Sequence, residues 1–189
     1  MITDQQERLR ADVDALADDL AFSLPFLIGT ASRATMAAVR GALQRLPLGV
    51  LRSLAACKAT IAMEPFAYLV HGDGTRVGGL ATPYPPSARV AAARKPEEVV
   101  ETVLHEVGHV WDHRRASWGR GPQCCISGSV RWRHVWQKEL AAGNVFGLDA
   151  RLDPAEHFAD CFAAYFGSDR VRATLSPAVR RFLAELFFP

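Results

Sequence analysis

Apolar residues recur along this chain with two different periods. Behind a Thr3/Gln6 capping pair, Leu9, Val13, Leu16 and Leu20 follow helical spacing, which predicts an amphipathic helix to about residue 22, ended by Pro25. From about Ser32, Met36, Val39, Leu43 and Leu46 mark a second helical face, and a shorter helix is expected over residues 47–55 after Pro47. Beyond Ala56 the period shortens. Residues 59–62, 67–70, 77–81 and 89–93 read as short strands, with HGDGTRVGG as a turn. The three prolines of TPYPPS predict an extended loop without regular pairing. Helical spacing returns with Pro96 at a first-turn position, Glu97 and Glu98 behind it, and Val99, Val103, Val107 and Val110 on one face. Further helices are expected over residues 131–142, from Asp153-Pro154, and from Ser176-Pro177.

With 189 residues, 49% hydrophobic and 22% charged, the chain suits one globular domain (residues 47–189) carrying a helical N-terminal segment (residues 1–46) that would act as lid, prodomain or docking surface. A net charge of +2 is too small to imply nucleic acid. Arg114, Arg115, Arg120, Arg131 and Arg133 are read as a solvated stretch, with Trp118 and Trp132 as anchors and not base-stacking platforms. Cys57, Cys124, Cys125 and Cys161 form no CxxC pair or regular framework, so reduced thiols are expected and a zinc–cysteine site is not. The opening segment carries acids where a secretory signal carries bases, and its longest apolar stretch is far short of the ~20 residues needed to span a bilayer. This predicts no membrane partner, and a cytoplasmic protein or one exported by a non-classical route.

Residues 105–109 read His-Glu-Val-Gly-His inside the helix expected from Pro96. Spaced one turn apart, His105 and His109 can reach a single metal ion, with Glu106 beside it as general base. A catalytic zinc ion takes three protein ligands and leaves a position for water, so a third must come from elsewhere. His113 continues the series but lies ~12 Å along the axis from His105, too far to share the ion. Glu156 is the better choice, because EHFADCFAAYF places Glu156 and Asp160 on one face of a second helix. Glu156 also fits the capping box of that helix behind Asp153. Asp160 could orient a ligand histidine through its second ring nitrogen, and Asp112 is an alternative for the same task.

HEVGHVWD followed by EHFADCFAAYF resembles the glutamate-zincin peptidases of the anthrax lethal factor type and is also similar to the Pro-Pro endopeptidases. The resemblance runs from about residue 40 to residue 168. It implies an α+β, zincin-like metallopeptidase domain, in which a small mixed sheet packs on the motif helix and further helices lie C-terminal to it. It further implies one Zn2+ ion held by His105, His109 and Glu156, Asp160 supporting from behind, and a protein or peptide substrate bound in extended form, with residues 77–81 as the sheet edge that receives it. Similar peptidases carry a tyrosine shortly before the third ligand, where this chain has VFGLDARLDP. Tyr165 falls on the far face of its helix, which leaves Tyr84 and His134 as candidate oxyanion donors. The reading is therefore a zinc metalloendopeptidase. Its alternatives are a catalytically weak zinc-binding module of the same fold, or an effector protease domain with one protein target.

Overall fold

The structure is a computed structural model that describes residues 27–113 and 125–188. The first expected helix, Trp118, Cys124 and the arginines at 114, 115 and 120 lie outside them. Strand β1 (Leu27–Gly29) is followed by helices α1 (Arg33–Gln44) and α2 (Leu48–Ala56), then strands β2 (Thr60–Glu64), β3 (Leu69–Val70), β4 (Arg76–Val77), β5 (Gly79–Pro83) and β6 (Pro86–Ala91). Helices follow: α3 (Pro96–His113), α4 (Val130–Ala142), α5 (Asp149–Leu152), α6 (Pro154–Phe166), α7 (Asp169–Arg172) and α8 (Pro177–Phe187). The fold is α+β. No described helix is long and apolar enough to cross a membrane.

One mixed sheet has the order β1-β2-β6-β5, with β1, β2 and β6 parallel and β5 antiparallel to β6; β3 and β4 form a separate hairpin. Alternation in TIAME sends Ile61 and Met63 inward, and β6 contributes Ala88 and Val90, their register partners, to the same face. Small residues there let α3 lie close. Prolines at 83 and 86 do not make an extended loop, contrary to the expectation from TPYPPS. Pro83 pairs with Pro86 and Thr82 with Ser87, closing β5 and β6 into a tight hairpin around Tyr84-Pro85, whose peptide bond is cis. A proline at the end of a ladder gives up no required N–H, so it limits the strand without forbidding it.

Helix α3 is the centre of the core, packed against β5 and β6 on one side and α1 and α6 on the other. It buries Val99, Val103, Leu104, Val107, Val110 and Trp111. Helix α6 answers with Phe158, Ala159, Cys161 and Phe162. The contact is close at Gly108, where an added Cβ would sit 3.1 Å from the Ala159 Cα and 3.2 Å from the Phe162 Cβ. Gly108→Val should therefore overpack this seam and cost about 1–3 kcal/mol, read as a lower denaturant midpoint at unchanged m.

Val39, Ala42 and Leu43 of α1 are fully buried in the same core as α3 and α6. Helix α4 sends two tryptophans toward the start of α6. Trp132 Nε1 donates to Pro154 O at 2.8 Å, and Trp136 Nε1 donates to Ala150 O at 2.9 Å. Trp132 is completely buried among His157, Phe158 and Phe182, which removes it from any base-stacking role.

Candidate metal centre and cleft

Helices α3 and α6 bring four of the predicted side chains together. His105 Nε2 and His109 Nε2 are 3.0 Å apart. Glu156 completes a triangle, with Oε2 3.3 Å from His105 Nε2 and Oε1 3.3 Å from His109 Nε2. Ligands at zinc distances of ~2.0–2.2 Å and tetrahedral angles lie roughly 3.3–3.5 Å apart, so this donor set fits one such ion. Behind it, Asp160 Oδ1 lies 2.9 Å from His105 Nδ1, which fixes the ring and turns Nε2 toward the other ligand atoms. Asp160→Asn should weaken metal binding ~10–100-fold with the fold retained, measured by competition with a chromophoric chelator.

Glu156 reaches this triangle because Asp153 starts its helix. The Asp153 carboxylate accepts from Ala155 N at 2.8 Å, and Pro154 occupies the first turn. The capping-box role expected of Glu156 is replaced by its contacts to the two histidines.

The electrostatics of the cluster favour a cation. Burial alone would push the His105 imidazolium downward, but hydrogen bonds to Asp160 and Glu156 and the charge of Glu106 outweigh it and raise its pKa to about 10. Hydrogen bonds from His105 and His109 hold the Glu156 carboxyl below the usual carboxylate range. A potential that binds a proton this firmly also favours a divalent ion in its place. Glu106 behaves differently. Burial raises its pKa, while the charges of His105 and His109 pull the other way, and only 6% of the residue is exposed. Its carboxyl packs against the backbone of β5, where a Cβ on Gly79 would lie 2.5 Å from Glu106 Oε1. Glycine is what allows the edge strand so close to this acid.

These groups open on a cleft of ≈ 1050 Å³. One wall is residues 77–82, including β5, the last strand of the sheet order; the other is α3, with residues 146–150 and the N-terminal part of α6. Leu148 and Leu152 present exposed apolar side chains there. The remaining predicted residues are not brought to this candidate cluster. Asp112 is completely buried, and its carboxylate accepts from Ser127 N at 2.8 Å and Ser127 Oγ at 2.5 Å. Tyr84 is 80% exposed at the hairpin turn and His134 is exposed on α4; neither lines the cleft. Tyr165 packs against Phe166 and Phe187. His71 and Arg94 do line the cleft, and no spacing or motif marked them. Arg94 Nη2 donates to Thr102 Oγ1 at 2.9 Å, and its Nε donates to Ala91 O at 3.2 Å.

No known family matches the chain by sequence, and no curated relative does. Solved structures do. The chain is similar to a Pro-Pro endopeptidase from Paenibacillus alvei, with a TM-score of 0.64 over 86% of this chain and 98% of that one at 19% identity. The likeness shows the fold, an α+β architecture shared with that endopeptidase.

Proposed function

We propose that this chain is a zinc-dependent metalloendopeptidase of the glutamate-zincin type, similar to the lethal factor peptidases and the Pro-Pro endopeptidases. The observation that carries it is the convergence of His105 Nε2, His109 Nε2 and the Glu156 carboxylate at 3.0–3.3 Å beside the buried carboxyl of Glu106. His105, His109 and Glu156 would hold the ion, which when bound supplies Lewis-acid polarisation of the scissile carbonyl and a lowered pKa for the attacking water. Glu106 takes a proton from that water as it attacks the carbonyl carbon, and returns it to the departing amine nitrogen. Its raised pKa suits both duties. The substrate lies extended along the free side of β5, hydrogen-bonded through its backbone, with Leu148 and Leu152 offering apolar contact across the cleft.

A second reading, a zinc-binding module with weak or no chemistry, is favoured by one observation: among the described residues no tyrosine lines the cleft. One missing oxyanion donor is worth ~2.7–4 kcal/mol of barrier. Profiling the purified chain on a peptide library that includes proline pairs separates the readings. The peptidase reading expects discrete cleavage that a chelator abolishes and zinc restores; stoichiometric zinc with no cleavage in the library would leave the binding module.

A further inference from the structure

A second group of metal-binding side chains stands at the C-terminal end of α3, apart from the site above. Asp112, His113 and Cys125 place a carboxylate oxygen, Nδ1 and Sγ within 4.8 Å of one another. Cys125 Sγ is 3.2 Å from His113 Nδ1. We propose that these three residues form a second binding site for a divalent transition-metal ion of the zinc class, distinct from the His105, His109 and Glu156 centre.

The donor set is a thiolate, an imidazole and a carboxylate, a combination that suits borderline and soft ions and discriminates against calcium and magnesium. The Cys125–His113 pair already has the spacing of two ligands on one ion, because tetrahedral N and S ligands on zinc lie roughly 3.5 Å apart, and the Asp112 oxygen lies within 4.8 Å of both. The carboxylate is already oriented. Both Asp112 oxygens accept from Ser127, the kind of outer support that fixes a ligating carboxylate, and each keeps a lone pair for a metal. Asp112 is also completely buried, and among the described residues no lysine or arginine forms an ion pair with it. A buried carboxylate whose hydrogen bonds come, among the described residues, from neutral groups is where a bound cation contributes most.

Access is available through His113, which lines the same cleft as His105 and His109. His113 stands one helical turn beyond His109, so the two ions are neighbours along α3 without sharing a ligand. The ligands come from residues 112, 113 and 125, so the ion joins two points separated along the chain and should stabilise the folded protein by preferential binding.

Cobalt(II) titration of the full chain, kept reduced with a phosphine, tests this without reference to peptidase activity. His105, His109 and Glu156 contain no sulfur, so a near-ultraviolet sulfur-to-cobalt charge-transfer band reports a cysteine-containing site, and its loss in Cys125→Ser assigns it to Cys125. The expected result is two cobalt ions per chain with the band present. Cys125→Ser should remove the band and one ion. His113→Ala, at a half-exposed position, should weaken the band-forming step at least ~10-fold with the circular dichroism spectrum unchanged. Glu156→Ala should remove the other ion and leave the band, so failure of either site is seen separately. A wild-type chain that gives no sulfur band, or a band that survives Cys125→Ser, overturns the proposal.

Discussion

Glu106→Gln is expected to lower kcat/KM on a cleaved peptide on the order of 10^3-fold while leaving bound zinc and the fold intact. The amide keeps the shape of the carboxylate against Gly79 but cannot accept a proton from water. Glu106 is not one of the three converging ligand residues, so metal content should not change. Stability should not fall either. The folded-state pKa of Glu106 lies above its ordinary value because burial penalises the charge, so a permanently neutral side chain removes an unfavourable term. The melting temperature of the variant should equal or exceed that of the parent. Turnover retained in the variant would remove Glu106 from its assigned role, and loss of zinc would make it a ligand.

The second large effect concerns Glu156. Glu156→Ala leaves two histidines on one helix with no ligand from the facing one, and zinc affinity should fall by more than the ~10–100-fold expected for Asp160→Asn, which keeps all three ligands. Isothermal titration at neutral pH ranks the two variants directly. Equal effects would mean that Glu156 is not a ligand. The metal-free proteins offer a check through pH. Hydrogen bonds from His105 and His109 depress the Glu156 pKa in the folded chain, so its contribution to stability is present above the ordinary carboxylate range and is lost as pH falls through the depressed value. At neutral pH the metal-free variant should thus be less stable than the metal-free parent, and the gap should close only in strongly acid solution.

How much of this was legible in the sequence follows from the range of each interaction. His105, Glu106 and His109 could be read because their relation is local: one helical turn fixes it whatever the rest of the chain does. Glu156 and Asp160 were legible for a related reason. Asp153-Pro154 marks the start of a helix, and i, i+4 spacing then puts both acids on one side, although nothing local says which helix they face. The TPYPPS segment misled because proline counts measure lost N–H donors, and a hairpin needs none from its closing pair. Strand β1 and helices α5 and α7 were missed because three or four residues are too few to show a period. Asp112, the alternative orienter, is turned by its helical position into the core, where Ser127 meets it. The pairing of His113 with Cys125, and the placement of His71 and Arg94 in the cleft, are tertiary contacts that leave no trace in periodicity.

Zinc-edge anomalous diffraction from crystals of the full chain tests the centre on which the functional reading depends. The account predicts an anomalous peak ~2.0–2.2 Å from His105 Nε2, His109 Nε2 and a Glu156 carboxylate oxygen, with Glu106 beside the ion but outside its ligands. Zinc-soaked crystals with no peak among those three side chains, or with Glu156 turned away from the ion, would contradict it.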